Sequence, residues 1–232
     1  DPIPVLTKSK TGIENYNVSV KGGDSANRFS VSLGYFGRQG LFAAGPDRTQ
    51  RMNARMSLNN RFNKHLSLET RLSYAQTNTF SPSQPVEGPR GLLAGLYRGP
   101  GNVPVYVPGT GNYAYGSAPT YAILEDGGER DEKNNYVDAV FTLRADSVAK
   151  GLTLRLIYSP QQHTLQDNLG RNTLLFWNRV APAAAIQPDN MLQKSRLVAK
   201  GGNLQLLGDY DVKKEKHNIH LLGGYTQETY NT

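Results

Sequence analysis

The sequence predicts an all-β, antiparallel protein, and three observations carry this prediction. Residues 27–36 alternate strictly, with Phe29, Val31 and Leu33 on one side of a strand and Arg28 and Ser30 on the other. The same period of two recurs in further segments that come in pairs. Short turns within each pair alternate with longer connections between pairs. Together these features predict about eight strands arranged as four hairpins.

The first predicted hairpin lies near residues 13–36. Its turn contains Gly22 and Gly23, which tolerate the positive φ of a tight turn. One face of the hairpin is apolar and the other is polar. In a soluble sandwich the apolar face would form the core, whereas in an outer-membrane barrel it would contact lipid. The first hairpin alone leaves both alternatives open.

The other three hairpins are predicted near residues 50–77, 135–159 and 203–229. Each again has an apolar side, and the opposite sides are rich in charge. Such charges suit a water-filled interior better than a packed core. We therefore expect a set of polar strand residues to face a lumen: Arg28, Arg51, Arg55, Glu69, Arg71, Asp138, Arg144 and Arg155.

Two long connections, near residues 79–133 and 161–200, are predicted to be irregular. The first holds seven of the 13 prolines, and Pro160 is expected to end the strand before the second, with a strand extension near 173–177 left open. Long insertions of this kind are usually functional. Flat amphipathic rings stack on sugars or grip peptides, although they also pack within loops. The candidates for ligand contact are Tyr106, Tyr113, Tyr115, Tyr121 and Trp177.

Composition excludes several classes of protein. No stretch approaches the roughly 18 apolar residues of a spanning helix, and the absence of cysteine excludes disulfides and thiolate sites. The formal charge of +7 would suit an anionic partner, but the 26 Lys and Arg are scattered, so no nucleic-acid partner is expected. The beginning, Asp1-Pro2-Ile3-Pro4, does not have the pattern of a signal peptide, so we expect a mature chain or a piece of a larger one.

The sequence offers no candidate enzyme, metal or cofactor site. His163 is predicted to lie in an irregular stretch, and no Ser-His-acid grouping can be assembled around it. His217 and His220 are three residues apart on a strand and point to opposite faces. The acidic residues between 125 and 132 lack the spacing of an EF-hand and are predicted to form a solvated loop. We expect no catalysis, no bound metal and no cofactor.

The rhythm of the connections favours a membrane barrel over a sandwich. Outer-membrane barrels have short turns at one end and long extracellular loops at the other, which is the alternation seen here. Tyrosines also lie near the ends of several predicted strands, as expected of an aromatic girdle at the membrane interfaces: Tyr16, Tyr35, Tyr74, Tyr158 and Tyr225.

Several strand phrases resemble those of SusC/RagA-type TonB-dependent transporters of Bacteroidetes outer membranes. They are Asn15-Tyr-Asn-Val-Ser-Val-Lys-Gly-Gly-Asp24, Arg28-Phe-Ser-Val-Ser-Leu-Gly-Tyr-Phe36 with Gln39-Gly40, Arg51-Met-Asn-Ala-Arg-Met-Ser-Leu58, Leu66-Ser-Leu68, Leu72-Ser-Tyr74 and His217-Asn-Ile-His-Leu-Leu-Gly-Gly-Tyr225. The resemblance covers strands towards both ends of the chain and is weak in the two long loops.

The resemblance implies a segment of the wall of a plugged barrel of about 22 strands. It further implies a Gram-negative outer-membrane location and TonB-energised import of oligomeric nutrients, either glycans or peptides. The implied partners are the rest of the barrel and its plug, a SusD-like surface lipoprotein, TonB, outer-membrane lipid and the oligosaccharide or peptide substrate. The alternative is a soluble β-sandwich that binds carbohydrate. A sandwich would bury Val31, Leu33, Leu206 and Leu221 against a second sheet, whereas a barrel would leave them facing outward.

Overall fold

Eight long strands form one antiparallel sheet, in which each strand pairs with the long strand that follows it in the chain. The structure is a computed structural model that describes residues 6–86, 91–98, 103–117, 119–187, 189–214 and 217–232. The strands of this sheet are β1 (Ile13–Gly23), β2 (Asn27–Gln39), β3 (Arg48–Arg61), β4 (Leu66–Pro82), β6 (Glu129–Ala149), β7 (Leu152–Arg171), β10 (Met191–Lys214) and β11 (His217–Asn231).

The predicted antiparallel all-β fold with eight strands is confirmed. The turns between β1 and β2, β3 and β4, and β6 and β7 are short, and the longer connections lie at the opposite end of the sheet. The last turn, at residues 215–216, and the loop residues 87–90, 99–102, 118 and 188 lie outside the described residues. Several strands run further towards the long connections than their alternation predicts, so those connections are shorter than expected.

Pro160 does not end β7, contrary to the expectation from the sequence. Strand β7 continues to Arg171, and Pro160 lies opposite Gly202 of β10. On the other side, the pairing with β6 skips Ser159 and Pro160 and resumes at Gln161 in the same register. A proline lacks the N–H that a hydrogen-bonded ladder requires. The ladder between β7 and β6 is therefore interrupted at Pro160, while the ladder between β7 and β10 continues and keeps the strand in the sheet.

The register separates the sheet into an apolar face and a polar face. Directly paired residues project to the same side, so the chain of pairs Val18–Leu33, Leu33–Ala54, Ala54–Tyr74 and Tyr74–Val137 defines one apolar row. A second such row is Leu68, Leu143, Leu156, Leu206 and Tyr225.

The apolar face is open in the described part of the chain. Leu33 and Leu221 are each 57% exposed and Leu206 is 50% exposed, and the described strands form no second sheet over them. A soluble sandwich requires these side chains to be buried between two sheets. The arrangement is therefore not that of a sandwich.

The buried core lies among the connections rather than beneath the sheet. We call this region the loop cap: the helices α1 (Leu92–Arg98) and α2 (Pro119–Asp126), and a small sheet of β5 (Tyr113–Ala114), β8 (Leu174–Trp177) and β9 (Pro182–Ile186). The loop cap shares its buried core with Leu6 and with Phe42 of the β2–β3 connection. The core residues within the cap are Leu92, Tyr113, Ala122, Ile123, Leu124, Leu174 and Phe176. The two connections expected to be irregular are thus largely ordered against each other, and β8 falls where a strand extension was left open.

Both described helices are short. None of the helices in the described ranges is long and apolar enough to cross a membrane. The loop cap also contacts the connection between β2 and β3, where Gly45 has φ +77° and its Cα approaches the carbonyl of Leu124 so closely that an added Cβ would lie 2.3 Å from that oxygen. Glycine is the residue that fits this position without strain.

Candidate functional site

All eight strand residues that the sequence predicts to face a lumen lie on the polar face of the sheet. Arg28 pairs with Asn59, which pairs with Glu69. Arg144 pairs with Arg155. The remaining four connect through the same register: Arg51, Arg55, Arg71 and Asp138. Because paired side chains share a face, these residues form one charged wall opposite the apolar face.

Some of the arginines on this wall are neutralised by carboxylates and some are not. The Arg155 guanidinium donates to Asp209 at 2.8 Å, and Arg71 Nε donates to Glu69 at 2.6 Å. Across the described residues, Arg28, Arg51 and Arg55 form no ion pair. The polar face therefore carries uncompensated positive charge that is open to solvent or to a partner.

Two depressions lie on the polar face. The first encloses about 500 Å³ near the short-turn end, and the second encloses about 420 Å³ beside it, between Arg55, Arg71 and Asp138. Hydroxyl, amide and charged side chains make up most of the lining of the first, and the second combines serines and these three charged residues with Met56, Leu72 and Val140. A wall of this kind can hold hydrated or polar molecules through several hydrogen bonds at once.

Three of the five predicted ligand-contact aromatics come together inside the loop cap. The rings of Tyr106 and Tyr113 stack with centroids 5.3 Å apart, and Tyr121 meets Tyr106 edge-on at 5.8 Å. Tyr106 donates its hydroxyl to Glu125 at 2.6 Å, and Tyr113 donates to Asp126 at 2.6 Å. The hydroxyls of Tyr106 and Tyr113 are therefore committed to contacts within the chain.

Electrostatics hold these phenols in the neutral form. The hydrogen bond to the Glu125 carboxylate raises the pKa of Tyr106 well above its usual value. Burial, followed by the hydrogen bond to Asp126, raises the pKa of Tyr113. Burial also raises the pKa of Tyr121. A neutral phenol that donates to a carboxylate acts as a structural tie, and none of these groups is poised for proton transfer near neutral pH.

The other two predicted contacts, Tyr115 and Trp177, lie outside this cluster. The Tyr115 side chain is 59% exposed, and its backbone N–H donates to the Trp177 carbonyl at 2.8 Å. Trp177 is half-buried at the end of β8. The five aromatics are thus not arranged as one binding surface, and their role in ligand contact stays a prediction.

The acidic residues around 125–132 are spread over two elements. Glu125 and Asp126 end α2, whereas Glu129, Asp131 and Glu132 lie in β6, where successive side chains alternate between faces. Within the described ranges, no group of three or more His, Asp or Glu side chains is placed to hold a metal ion.

Tyr136 and His163 form a feature of the polar face that the sequence interpretation missed. Their rings stack with centroids 4.2 Å apart and an angle of 4° between the planes. His163 belongs to β7 and not to an irregular stretch, which corrects the earlier expectation. A signal was present, because Tyr136 is two residues from Asp138 and so shares its face. His163 could be placed only once β7 was known to continue past Pro160.

Comparison with solved structures shows the same fold in a transporter. Two structures of the RagAB peptide importer, in its closed-closed and open-open states, align with 93% and 98% of this chain at TM-scores of 0.68 and 0.72. The fold of this chain is similar to that of the RagAB chains. A third structure of the RagAB peptide transporter aligns at a TM-score of 0.69, and the sequence identity is 17% in all three.

The aligned region is a part of those chains. This chain spans 24% to 25% of the length of the RagAB chains that it matches. No family model matches the sequence, and the search of curated proteins found no match. The shared fold is consistent with the expected wall of a larger barrel.

Proposed function

We propose that this chain forms part of the wall of an outer-membrane transporter that imports oligomeric nutrients, glycans or peptides, with energy supplied through TonB. The observation that carries the proposal is the division of one eight-stranded sheet into an exposed apolar face and a charged face. Lipid would contact the apolar face, and the charged face would line the water-filled interior.

The extent of the apolar face supports a membrane setting. On β10 the apolar positions run from Leu204 to Val212, and on β11 from Ile219 to Tyr225. About eight residues at about 3.3 Å each, tilted by about 40°, give a band roughly 20 Å tall, close to the apolar band of about 25 Å in outer-membrane barrels. Tyr16 and Tyr35 stack at 6.1 Å on this face, where an interfacial girdle is expected.

The partners follow from the same proposal. The outer edges of β1 and β11 have no strand partner among the described strands, so the remaining barrel strands would continue the sheet there and a plug would lie inside the barrel. The matched structures are of the RagAB peptide importer, which supports import as the general activity. A surface lipoprotein of the SusD type as a partner is what the resemblance of the strand phrases implies. The uncompensated arginines and the depressions of the polar face would lie along the substrate path.

A paired substitution tests which face contacts lipid. Leu206→Arg would place a charge in the proposed lipid-facing band and is expected to destabilise the folded full-length protein in lipid vesicles by about 2–4 kcal/mol. Gln205→Arg is the matched control, because Gln205 lies next to it but on the polar face, paired with Ile157 and Thr226. That variant is expected to change stability by less than about 0.5 kcal/mol.

Urea unfolding in vesicles, followed by the heat-dependent shift in gel mobility of folded barrels, measures both variants. Equal stability of the two variants, or a larger loss for Gln205→Arg, would contradict the proposed orientation. Recovery of the full-length protein outside the outer-membrane fraction of the cell would contradict the proposed location and with it the transport function.

A further inference from the structure

On the polar face, the small side chain of Ala75 lies between two larger ones on the neighbouring strands. The register pairs Asn53 of β3 with Ala75 of β4, and Ala75 with Tyr136 of β6. Neighbouring strands lie about 4.8 Å apart, so the backbones of β3 and β6 are separated by roughly 10 Å with only the Ala75 methyl group between them. We call the space above Ala75 the Ala75 slot.

The Tyr136 ring forms one wall of the Ala75 slot. One face of the ring is covered by His163 at 4.2 Å, and His163 lies on β7, the strand on the far side from Ala75. The other face of the Tyr136 ring therefore points over Ala75. A contact of 3.1 Å between His163 Nε2 and Asn134 Oδ1 holds the supporting imidazole in place.

Tyr136 differs from the tyrosines of the loop cap because its hydroxyl has no partner and one face of its ring stacks on no other ring within the described part of the chain. Its side chain is 44% exposed, and its hydroxyl has no hydrogen-bond partner in the described part of the chain. By contrast, the hydroxyls of Tyr106 and Tyr113 donate hydrogen bonds to Glu125 and Asp126. Tyr136 thus offers both a free aromatic face and a free hydroxyl group towards the interior.

The opposite side of the Ala75 slot carries amides. The Asn53 side chain leans across Gly34, where an added Cβ would lie 2.7 Å from Asn53 Nδ2 and 2.8 Å from Asn17 Oδ1. This lean draws the Asn53 amide away from Ala75 and widens the slot. Amide groups supply both donors and acceptors, so this side can bind hydroxyl groups of either orientation.

The next row along the strands adds charged and hydroxyl groups. Ser73 of β4 donates its hydroxyl to Asp138 Oδ2 at 3.2 Å, and Arg55 lies on the same row of β3. Ser73, Arg55 and Asp138 all line the depression of about 420 Å³, which opens beside the Ala75 slot. A molecule in the slot would therefore contact an aromatic ring on one side and hydrogen-bonding groups at its edge.

We propose that the Ala75 slot binds a hexopyranose ring of an oligosaccharide, with one C–H face stacked on Tyr136, its hydroxyl edge directed to Ser73 and Asp138, and Asn53 on the side of its other face. This inference rests on the proposed transport function and names the substrate class of the polar face. Pyranose rings combine an apolar face with a polar edge, which is the combination that the slot presents.

A proline or aromatic ring from a peptide would fit the slot less well. Such a ring stacks on Tyr136 equally well but leaves the hydroxyl of Ser73 and the carboxylate of Asp138 facing carbon. Unpaired polar groups at a binding surface lose the hydrogen bonds that they made to water, and this loss reduces affinity.

The first experiment measures binding of linear gluco-, manno- and galacto-oligosaccharides to the detergent-solubilised full-length protein by calorimetry, with a protease digest of casein as the peptide arm. At least one saccharide is expected to bind, Tyr136→Ala is expected to weaken that binding about tenfold, and Tyr136→Phe, which keeps the ring, about twofold to threefold. The matched control is Tyr158→Ala, since Tyr158 is 48% exposed and stacks on Phe141 at 6.4 Å, but on the apolar face. Tyr158→Ala is expected to leave saccharide binding unchanged.

A second pair of variants fills space instead of removing a ring. Ala75→Leu is expected to block the slot and to weaken saccharide binding at least tenfold, whereas Ala54→Leu, one strand away on the apolar face, is expected to leave it unchanged. Failure of every saccharide to bind, whether or not the peptides bind, or equal saccharide affinity in Tyr136→Ala and the unsubstituted protein, would overturn this inference while leaving import intact. Failure of the transport proposal is seen separately, in the localisation of the protein and the Leu206→Arg test.

Discussion

Replacing Tyr113 with phenylalanine is expected to loosen the loop cap by about 1–2 kcal/mol while leaving the eight-stranded sheet unchanged. The substitution removes only the hydroxyl, which donates to Asp126 Oδ2 at 2.6 Å and to Glu125 Oε2 at 3.2 Å. A hydrogen bond to a charged group contributes about 1.5–3 kcal/mol. Both carboxylates are exposed and regain water in the variant, so the expected loss lies at the lower end. The ring keeps its stacking on Tyr106.

Hydrogen exchange of the loop-cap backbone measures this loss directly. The N–H of Ala114 bonds to the Val105 carbonyl at 2.8 Å, and the N–H of Val107 bonds to the Asn112 carbonyl at 2.8 Å. A loss of 1–2 kcal/mol speeds their exchange by about 5- to 30-fold if they exchange through opening of the cap. Tyr115→Phe is the control, because the Tyr115 side chain makes no hydrogen bond in the described part of the chain. Equal protection from exchange in the two variants would refute a structural role for the Tyr113 hydroxyl. Loss of protection in the eight-stranded sheet of Tyr113→Phe would refute the expectation that the effect is confined to the loop cap.

Two further predictions concern the same region. The pKa values of Tyr106 and Tyr113 are raised in the folded state, so their contribution to stability is fully present below about pH 10 and is lost as the pH rises towards the folded values. An absorbance titration at alkaline pH should therefore show exposed tyrosines ionising first and these two last; their ionisation together with the others while the cap remains folded would contradict this order. Phe176→Ala should destabilise the cap by about 3–5 kcal/mol, because Phe176 is fully buried against the ring of Tyr113, whereas Leu175→Ala, a neighbour that is 43% exposed, should cost about 1 kcal/mol or less. Thermal unfolding of the cap compares the two, and equal melting temperatures would rule out the proposed core.

The local pattern identified the hairpins but not the ends of their strands. Alternation is clear where one face is apolar, as from Phe29 to Tyr35. Towards the long connections both faces become polar, and β6 begins with a run of charged and amide residues at 129–135. Such a run has no period of two, so only its pairing with β4 and β7 marks it as strand. Tertiary pairing decided these ends because hydrogen bonding to a neighbour does not depend on which side chains alternate.

The candidate site was also predicted from the sequence only in part. Which residues share the polar face follows from parity along each strand, and all eight predicted residues lie there. The loop tyrosines were assigned to ligand contact from residue type alone. Whether a tyrosine hydroxyl is free depends on what lies across from it, and for Tyr113 the neighbour is Asp126 at the end of a helix that the proline-rich composition did not suggest.

The sequence by itself determined the strand periodicity, the number of hairpins, the alternation of short and long connections and the side of each strand on which a residue lies. These properties depend on the geometry of an extended chain over a few residues. The tertiary structure alone decided that the apolar face stays open, that the loops share a core around Phe42 and Phe176, and that Tyr136 stacks on His163 beside the gap above Ala75. Each of these depends on the register between strands that are tens of residues apart in the chain, and a shift of one residue would place the same side chains on opposite faces.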